Sequence, residues 1–280
     1  MNPLKAAAAA FLLAALGCAG YLLWLPDVRP LKTQNPRETS FMRLKEAQAA
    51  KAGKKVTRRM QWARWDEISD NLKHAVLVAE DDMFYAHKGV NWETTREAFR
   101  FNLGKKKFAR GGSTITQQLA RNLYLSPSKN PLRKIKEYLI ARRLERELGK
   151  RRIFELYLNV AEWGKGIYGA QAASLAYFGR TADTLTPEEA AALAAVLPSP
   201  RRYDPLKDSR FMRGRKSTIV ARMRASGYLP DEEETGTEEG PDEELFDAAA
   251  SSAAPAGAGT EGPEPAPAAD PGPLDGQAFN

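Results

Sequence analysis

The sequence predicts an all-α fold, carried behind an N-terminal apolar helix and followed by an acidic tail. Three observations predict it. Apolar residues recur at helical spacing through nearly every segment from 61 to 229, with no alternating strand of consequence. Proline, glycine and hydroxyl-bearing residues punctuate that stretch where helices should begin and end. The composition changes abruptly at both of its ends, which sets the folded part apart from what flanks it.

Residues 6–25, AAAAAFLLAALGCAGYLLWL, are uncharged and mostly apolar, and Pro26 and Asp27 stop the run. About twenty helical residues reach the ~30 Å of a bilayer's hydrocarbon, so the segment reads as an uncleaved transmembrane anchor with residues 1–5 as its cytoplasmic end. A lipoprotein signal at Cys18 needs a Leu-like residue where Ala15 stands, and no cleavage site with a convincing mature start follows. Lys5 competes with Arg29, Lys32 and Arg37, so basic residues alone leave the orientation open. Residues 26–60 are polar and basic, contain Pro30 and Pro36, and read as a stalk.

Within 61–229, Ser69 or Asp70 can cap a helix whose apolar face is Leu72, Ala75, Val76 and Ala79. Asn91 can cap a second, ending at Gly104, before the basic glycine-ended loop 105–112. Ser113 or Thr114 opens a third. Asn130-Pro131 starts a fourth, with proline where its missing N–H costs nothing, and Gly149 ends it. A fifth covers about 150–163. Thr186-Pro187-Glu188-Glu189 is a capping box leading an Ala-rich helix toward Pro198.

Residues 230–280 hold 14 of the 35 acidic residues and none of the 42 Lys and Arg. With almost no aliphatic side chains, they cannot bury enough surface to offset the entropy of ordering and read as disordered. The remainder carries 42 basic against 21 acidic side chains, so the modest net charge of +7 hides a strongly basic body. Such a body seeks nucleic acid, an anionic membrane surface or phosphate-bearing substrates. One cysteine, Cys18, allows no intramolecular disulfide, and His74 and His87 are too few and too far apart for a zinc motif.

Three constellations carry chemistry. In Glu80-Asp81-Asp82-Met83-Phe84-Tyr85-Ala86-His87-Lys88-Gly89, an acidic pair sits where an apolar helix face stops. A Glu held there beside Phe84 and Tyr85 can be desolvated, which raises its pKa and suits it to acid–base work. In Gly111-Gly112-Ser113-Thr114-Ile115-Thr116-Gln117-Gln118-Leu119-Ala120-Arg121, paired glycines let backbone approach a ligand, and the helix start offers N–H groups to an anion. Ser113, Gln117 and Arg121 recur at helical spacing, a hydrogen-bonding strip for a sugar or pyrophosphate. In residues 129–137, Lys129 and Arg133 form a cationic patch with Glu137 embedded to orient phosphate or hold a metal.

These blocks, in this order, with Arg152-Ile153-Phe154-Glu155-Leu156-Tyr157-Leu158-Asn159 after them, resemble the family 51 glycosyltransferases, the transglycosylase domains of penicillin-binding proteins and their stand-alone relatives. Asn159-Val160-Ala161-Glu162-Trp163-Gly164 and Tyr177-Phe178-Gly179 resemble the monofunctional branch. The resemblance covers about 75–205. It implies a lysozyme-like, two-lobed helical domain that polymerises lipid II into β-1,4 glycan strands with inversion, releasing polyprenyl pyrophosphate. Glu80 matches the family's catalytic base and Glu137 its second essential carboxylate. Arg96, Ser113, Gln117, Gln118, Arg121, Lys129 and Arg133 match positions lining the donor site. Some relatives have Lys for Arg121 and Arg for Lys129, which keeps charge but changes phosphate geometry.

The resemblance further implies a divalent cation, Mg²⁺ or Mn²⁺, at Glu137 and no organic cofactor. Its implied partners are lipid II, the growing glycan chain, the membrane and cell-wall synthesis or division proteins, with no nucleic acid. The catalytic domain would face the periplasmic or extracellular side of the cytoplasmic membrane. A transpeptidase is excluded, because the S-x-x-K and S-D-N matches at 126–129 and 69–71 stand in the wrong order and no K-T-G follows. A lysozyme-type glycan cleaver also uses a helix-end Glu, but has no need of a cationic pyrophosphate site or an anchor.

Overall fold

The computed structural model describes residues 3–54, 57–93, 95–97, 100, 112–128 and 130–231. Nine helices longer than two turns occur among them: α1 (Pro3–Leu23), α2 (Ser40–Lys51), α3 (Asp70–Glu80), α4 (Ile115–Tyr124), α5 (Pro131–Glu147), α6 (Lys150–Val160), α7 (Ala170–Phe178), α8 (Pro187–Val196) and α9 (Arg210–Ala225). The all-α expectation holds for the body of the chain. Its only described sheet is small, with β1 (Arg59–Met60) parallel to β3 (Ile167–Tyr168), and β2 (Glu162–Gly164) antiparallel to β3.

The helix starts follow local chemistry. Ser69, Thr114, Asn130 and Thr186 each accept a backbone N–H from the first turn of α3, α4, α5 and α8. Each such cap contributes about 1 kcal/mol. The fifth predicted helix closes at Val160 rather than 163, because the next residues enter β2. Helices α2, α7 and α9 were not singled out by the sequence pattern. The predicted end of the Asn91 helix at Gly104, the basic loop over 105–111 and the 230–280 tail beyond residue 231 lie outside the described residues, as does Lys129.

Packing divides the helices into two groups. In one, α3, α8 and α9 pack together; in the other, α4 lies against α2, α5 and α6. One continuous core runs through both, with Trp163, Tyr157, Phe84 and Phe154 fully buried in it. Asn159, read in the sequence as part of a family block, serves this packing. Its side chain accepts the Ala63 N–H at 2.8 Å and donates to the Ala63 carbonyl at 2.8 Å, fastening the segment before α3 onto α6. Gly169 closes the same region: at φ +86°, a Cβ would meet the Asn159 carbonyl oxygen at 2.8 Å.

Two expectations about the N-terminal region change. Residues 26–60 are not an isolated stalk, for they supply α2 and β1, and bury Val28, Leu31, Thr39 and Met42. Arg152 on α6 fixes this strap by donating to the carbonyls of Leu31 (2.8 Å) and Gln34 (3.0 Å) and to the Asn35 side chain (2.7 Å). The apolar segment does form a helix, α1, but among the described residues no helix is long and apolar enough to cross a membrane. Helix α1 closes at Leu23, two residues short of the end of the apolar run at Leu25.

Candidate functional site

Glu80 is the last residue of α3, and its side chain is only 11% exposed. Two groups from other helices hold it. Gln118 of α4 donates its Nε2–H to Oε2 at 2.9 Å, and Arg215 of α9 donates to Oε1 at 3.4 Å. Burial pushes the Glu80 carboxyl above the ordinary glutamate value; the Arg215 charge, the Gln118 hydrogen bond and the Arg121 charge pull against it, and Asp81 adds to the rise. A desolvated carboxylate with a raised pKa accepts a proton more readily than a solvated one, which is what a general base needs.

The neighbouring Asp81 has a different task. Buried, it accepts the Ile115 N–H at the start of α4 (2.9 Å) and receives His87 Nε2 at 3.0 Å. The Gly89 N–H points at His87 Nδ1 (3.2 Å), so Nδ1 accepts and Nε2 carries the proton that Asp81 receives. Thr114, the α4 cap, donates its hydroxyl to the Gly89 carbonyl at 2.7 Å. The first sequence block is thereby bolted to the second, and Glu80 is set against α4. Gly89 is required here: its φ is +89°, and a Cβ would stand 3.1 Å from Glu145 Cγ and 3.4 Å from the Ala141 carbonyl oxygen.

Along α4 the sequence expectation is partly redistributed. Gln117 is buried in a capping box, accepting the Thr114 N–H at 3.0 Å, and so fixes the helix start. Gln118 is the residue that reaches Glu80, and Arg121 is near enough for its charge to favour ionised Glu80.

A second cluster lies at the start of α5. Glu137 is fully buried, and its two oxygens receive Arg133 and Lys134. Arg133 also donates to the Ser128 carbonyl, and Lys134 reaches the Ser113 hydroxyl at 2.8 Å. Two cations around one carboxylate leave a net positive site beside a hydroxyl and the α4 start. Lys134 was missed in the sequence. Arg96 stands exposed in a groove with Trp92, Glu93, Glu97 and Arg100.

The residues do not fit a metal at Glu137. Both of its oxygens already receive protein cations, and among the described residues no group of three metal-ligating side chains gathers.

Residues 45–224 match the family described as Transglycosylase. A biosynthetic peptidoglycan transglycosylase of Chromobacterium violaceum is 44% identical over 227 residues, covering 81% of this chain and 96% of the relative. Proteins of the same name from Dechloromonas aromatica and Aromatoleum aromaticum are 43% and 51% identical, over 69% and 61% of this chain and 83% and 74% of their own lengths.

Proposed function

We propose a reaction geometry for this chain, which belongs to the transglycosylase family and is a peptidoglycan glycosyltransferase: Glu80 is the general base, and the Glu137 cluster receives the departing pyrophosphate. The substrate is lipid II, an α-linked disaccharide pyrophosphate, and the product a β-1,4 glycan strand. One inverting attack accounts for that change. Glu80 takes the proton from the acceptor sugar's 4-hydroxyl, that oxygen bonds to the donor's anomeric carbon, and the carbon–oxygen bond to polyprenyl pyrophosphate breaks.

The observation that carries this reading is the placement of Glu80: nearly buried, raised in pKa and gripped from two helices. Around the leaving group, Arg133 and Lys134 supply the charge that stabilises pyrophosphate, and the family resemblance assigns Lys129 and Arg121 to the same task. Glu137 orients the two cations, and Ser113 adds a hydroxyl at their edge. Glu80 ends α3 of one helix group and is met by α4 of the other, which supports a lysozyme-like cleft between two lobes.

The lipid tails of both substrates call for a membrane, and α1 supports the anchor reading. Phe11, Leu12, Leu13, Leu16 and Leu23 are exposed along it. Tyr21 and Trp24 at its end lie against Lys136, aromatic and cationic partners suited to a membrane interface. The domain then works on the periplasmic side, beside other cell-wall synthesis proteins. Incubating the detergent-solubilised protein with lipid-linked disaccharide-peptide tests the reading: glycan polymer supports it, and unchanged substrate contradicts it.

A further inference from the structure

Gln118 places its amide between a carboxylate, which can only accept, and a phenol hydroxyl, which here donates. Its Nε2 is 2.9 Å from the Glu80 carboxylate, and its Oε1 is 3.1 Å from the hydroxyl of Tyr157 on α6. A carboxylate only accepts, so it selects the N–H side of the amide. The carbonyl side then faces Tyr157, and in this partly buried setting a hydrogen bond to it contributes about 1 kcal/mol. Tyr157 is the donor that meets it. Its ring is fully buried, and burial, together with the nearby Glu80 charge, keeps its hydroxyl protonated far above neutral pH.

We propose that Tyr157 is a positioning residue: by donating to Oε1, its hydroxyl favours the Gln118 orientation whose N–H meets ionised Glu80. Were the amide turned over, its carbonyl oxygen would face Glu80, and only the protonated carboxyl could meet it. The state of this partly buried amide is thus tied to the ionisation of Glu80. The inference rests on Glu80 as the base. Every charged or titratable neighbour that bears on Glu80 enters the same balance: Asp81 beside it, Arg121 on α4, Tyr157 on α6 and Arg215 on α9, the last itself influenced by Arg222 and Tyr203. Among them Tyr157 is the one that acts through Gln118 rather than through charge.

The test is the pH dependence of kcat/KM for polymerisation of lipid-linked disaccharide-peptide. Tyr157→Phe should move the acid limb upward by about half to one pH unit, the worth of one such hydrogen bond. KM at high pH should change little. Gln118→Met, which has no amide to orient, should move the limb at least as far, and adding Tyr157→Phe to it should move it no further. A Tyr157→Phe limb that stays put, or a shift as large in the Gln118→Met background as alone, overturns the inference. If Tyr157→Phe does not fold, Gln118→Met decides alone, and an unmoved limb overturns the relay. Glu80→Gln separates the two readings: if it retains activity the base assignment fails, whereas an inactive Glu80→Gln with an unmoved Tyr157→Phe limb removes only the relay.

Discussion

Replacing Arg215 by Met should shift the pH at which the enzyme works, without destroying the machinery. Arg215 and Glu80 approach to 3.4 Å with side chains 9% and 11% exposed. At that distance and an effective dielectric of about 20, the attraction has a ceiling of about 5 kcal/mol. Relaxation and water entry return much of it, leaving the one to three pH units usual for a carboxylate losing a close cation. Glu80 already titrates above 4.5 because it is buried, and Arg215 is the largest influence holding it down. Without that charge the base becomes protonated at a higher pH. The acid limb of kcat/KM should therefore climb by about one to two pH units, with activity returning as pH is raised, while Arg215→Lys keeps most of the wild-type profile. Stability follows the same sign. A carboxyl whose folded pKa exceeds its unfolded one favours the native state less as pH rises from 4.5 through the folded pKa, so the variant's urea midpoint should fall with pH across that window. Activity reduced by one constant factor at every pH, with native circular dichroism, would refute the argument that Arg215 tunes Glu80.

Gly89→Ala should destabilise the protein by about 1–3 kcal/mol in urea denaturation, since it forces an L side chain to positive φ against Glu145; a change under a few tenths contradicts the geometry. Lys134→Ala should lower kcat/KM by about tenfold and weaken its dependence on salt, because an exposed cation at a phosphate site acts through screened charge. An unchanged rate would remove Lys134 from the leaving-group site. Deleting 231–280, a segment with no basic and few aliphatic residues, should leave the melting temperature and polymerisation of the detergent-solubilised protein nearly unchanged; a fall of many degrees would show that it packs.

What was legible in the sequence was local. Ser69, Thr114, Asn130 and Thr186 cap helices because a side-chain oxygen and an N–H two or three residues on need nothing else. Gln117 carries a local signal of its own: Thr114-Ile115-Thr116-Gln117 spells a capping box, which its side chain closes. Non-local contacts left no such trace. Arg215 lies 135 residues from Glu80, and Lys134 is one of several basic residues at the start of α5; only the fold tells which ones meet a carboxylate. The strap before α2 misled for the same reason. Val28 and Leu31 are isolated apolar residues in a polar stretch, and their burial depends on surfaces of helices far along the chain.

The most direct measurement compares synthesis with cleavage in wild type and Glu80→Gln. Given lipid-linked disaccharide-peptide, the wild type should yield long glycan polymer in the presence of penicillin and release nothing soluble from mature cell-wall sacculi. Glu80→Gln, folded by circular dichroism, should lose at least about a hundredfold in polymerisation, the range for a general base. Soluble muropeptides from sacculi with no polymer from lipid-linked precursor, or a Glu80→Gln enzyme that still polymerises, would contradict the account.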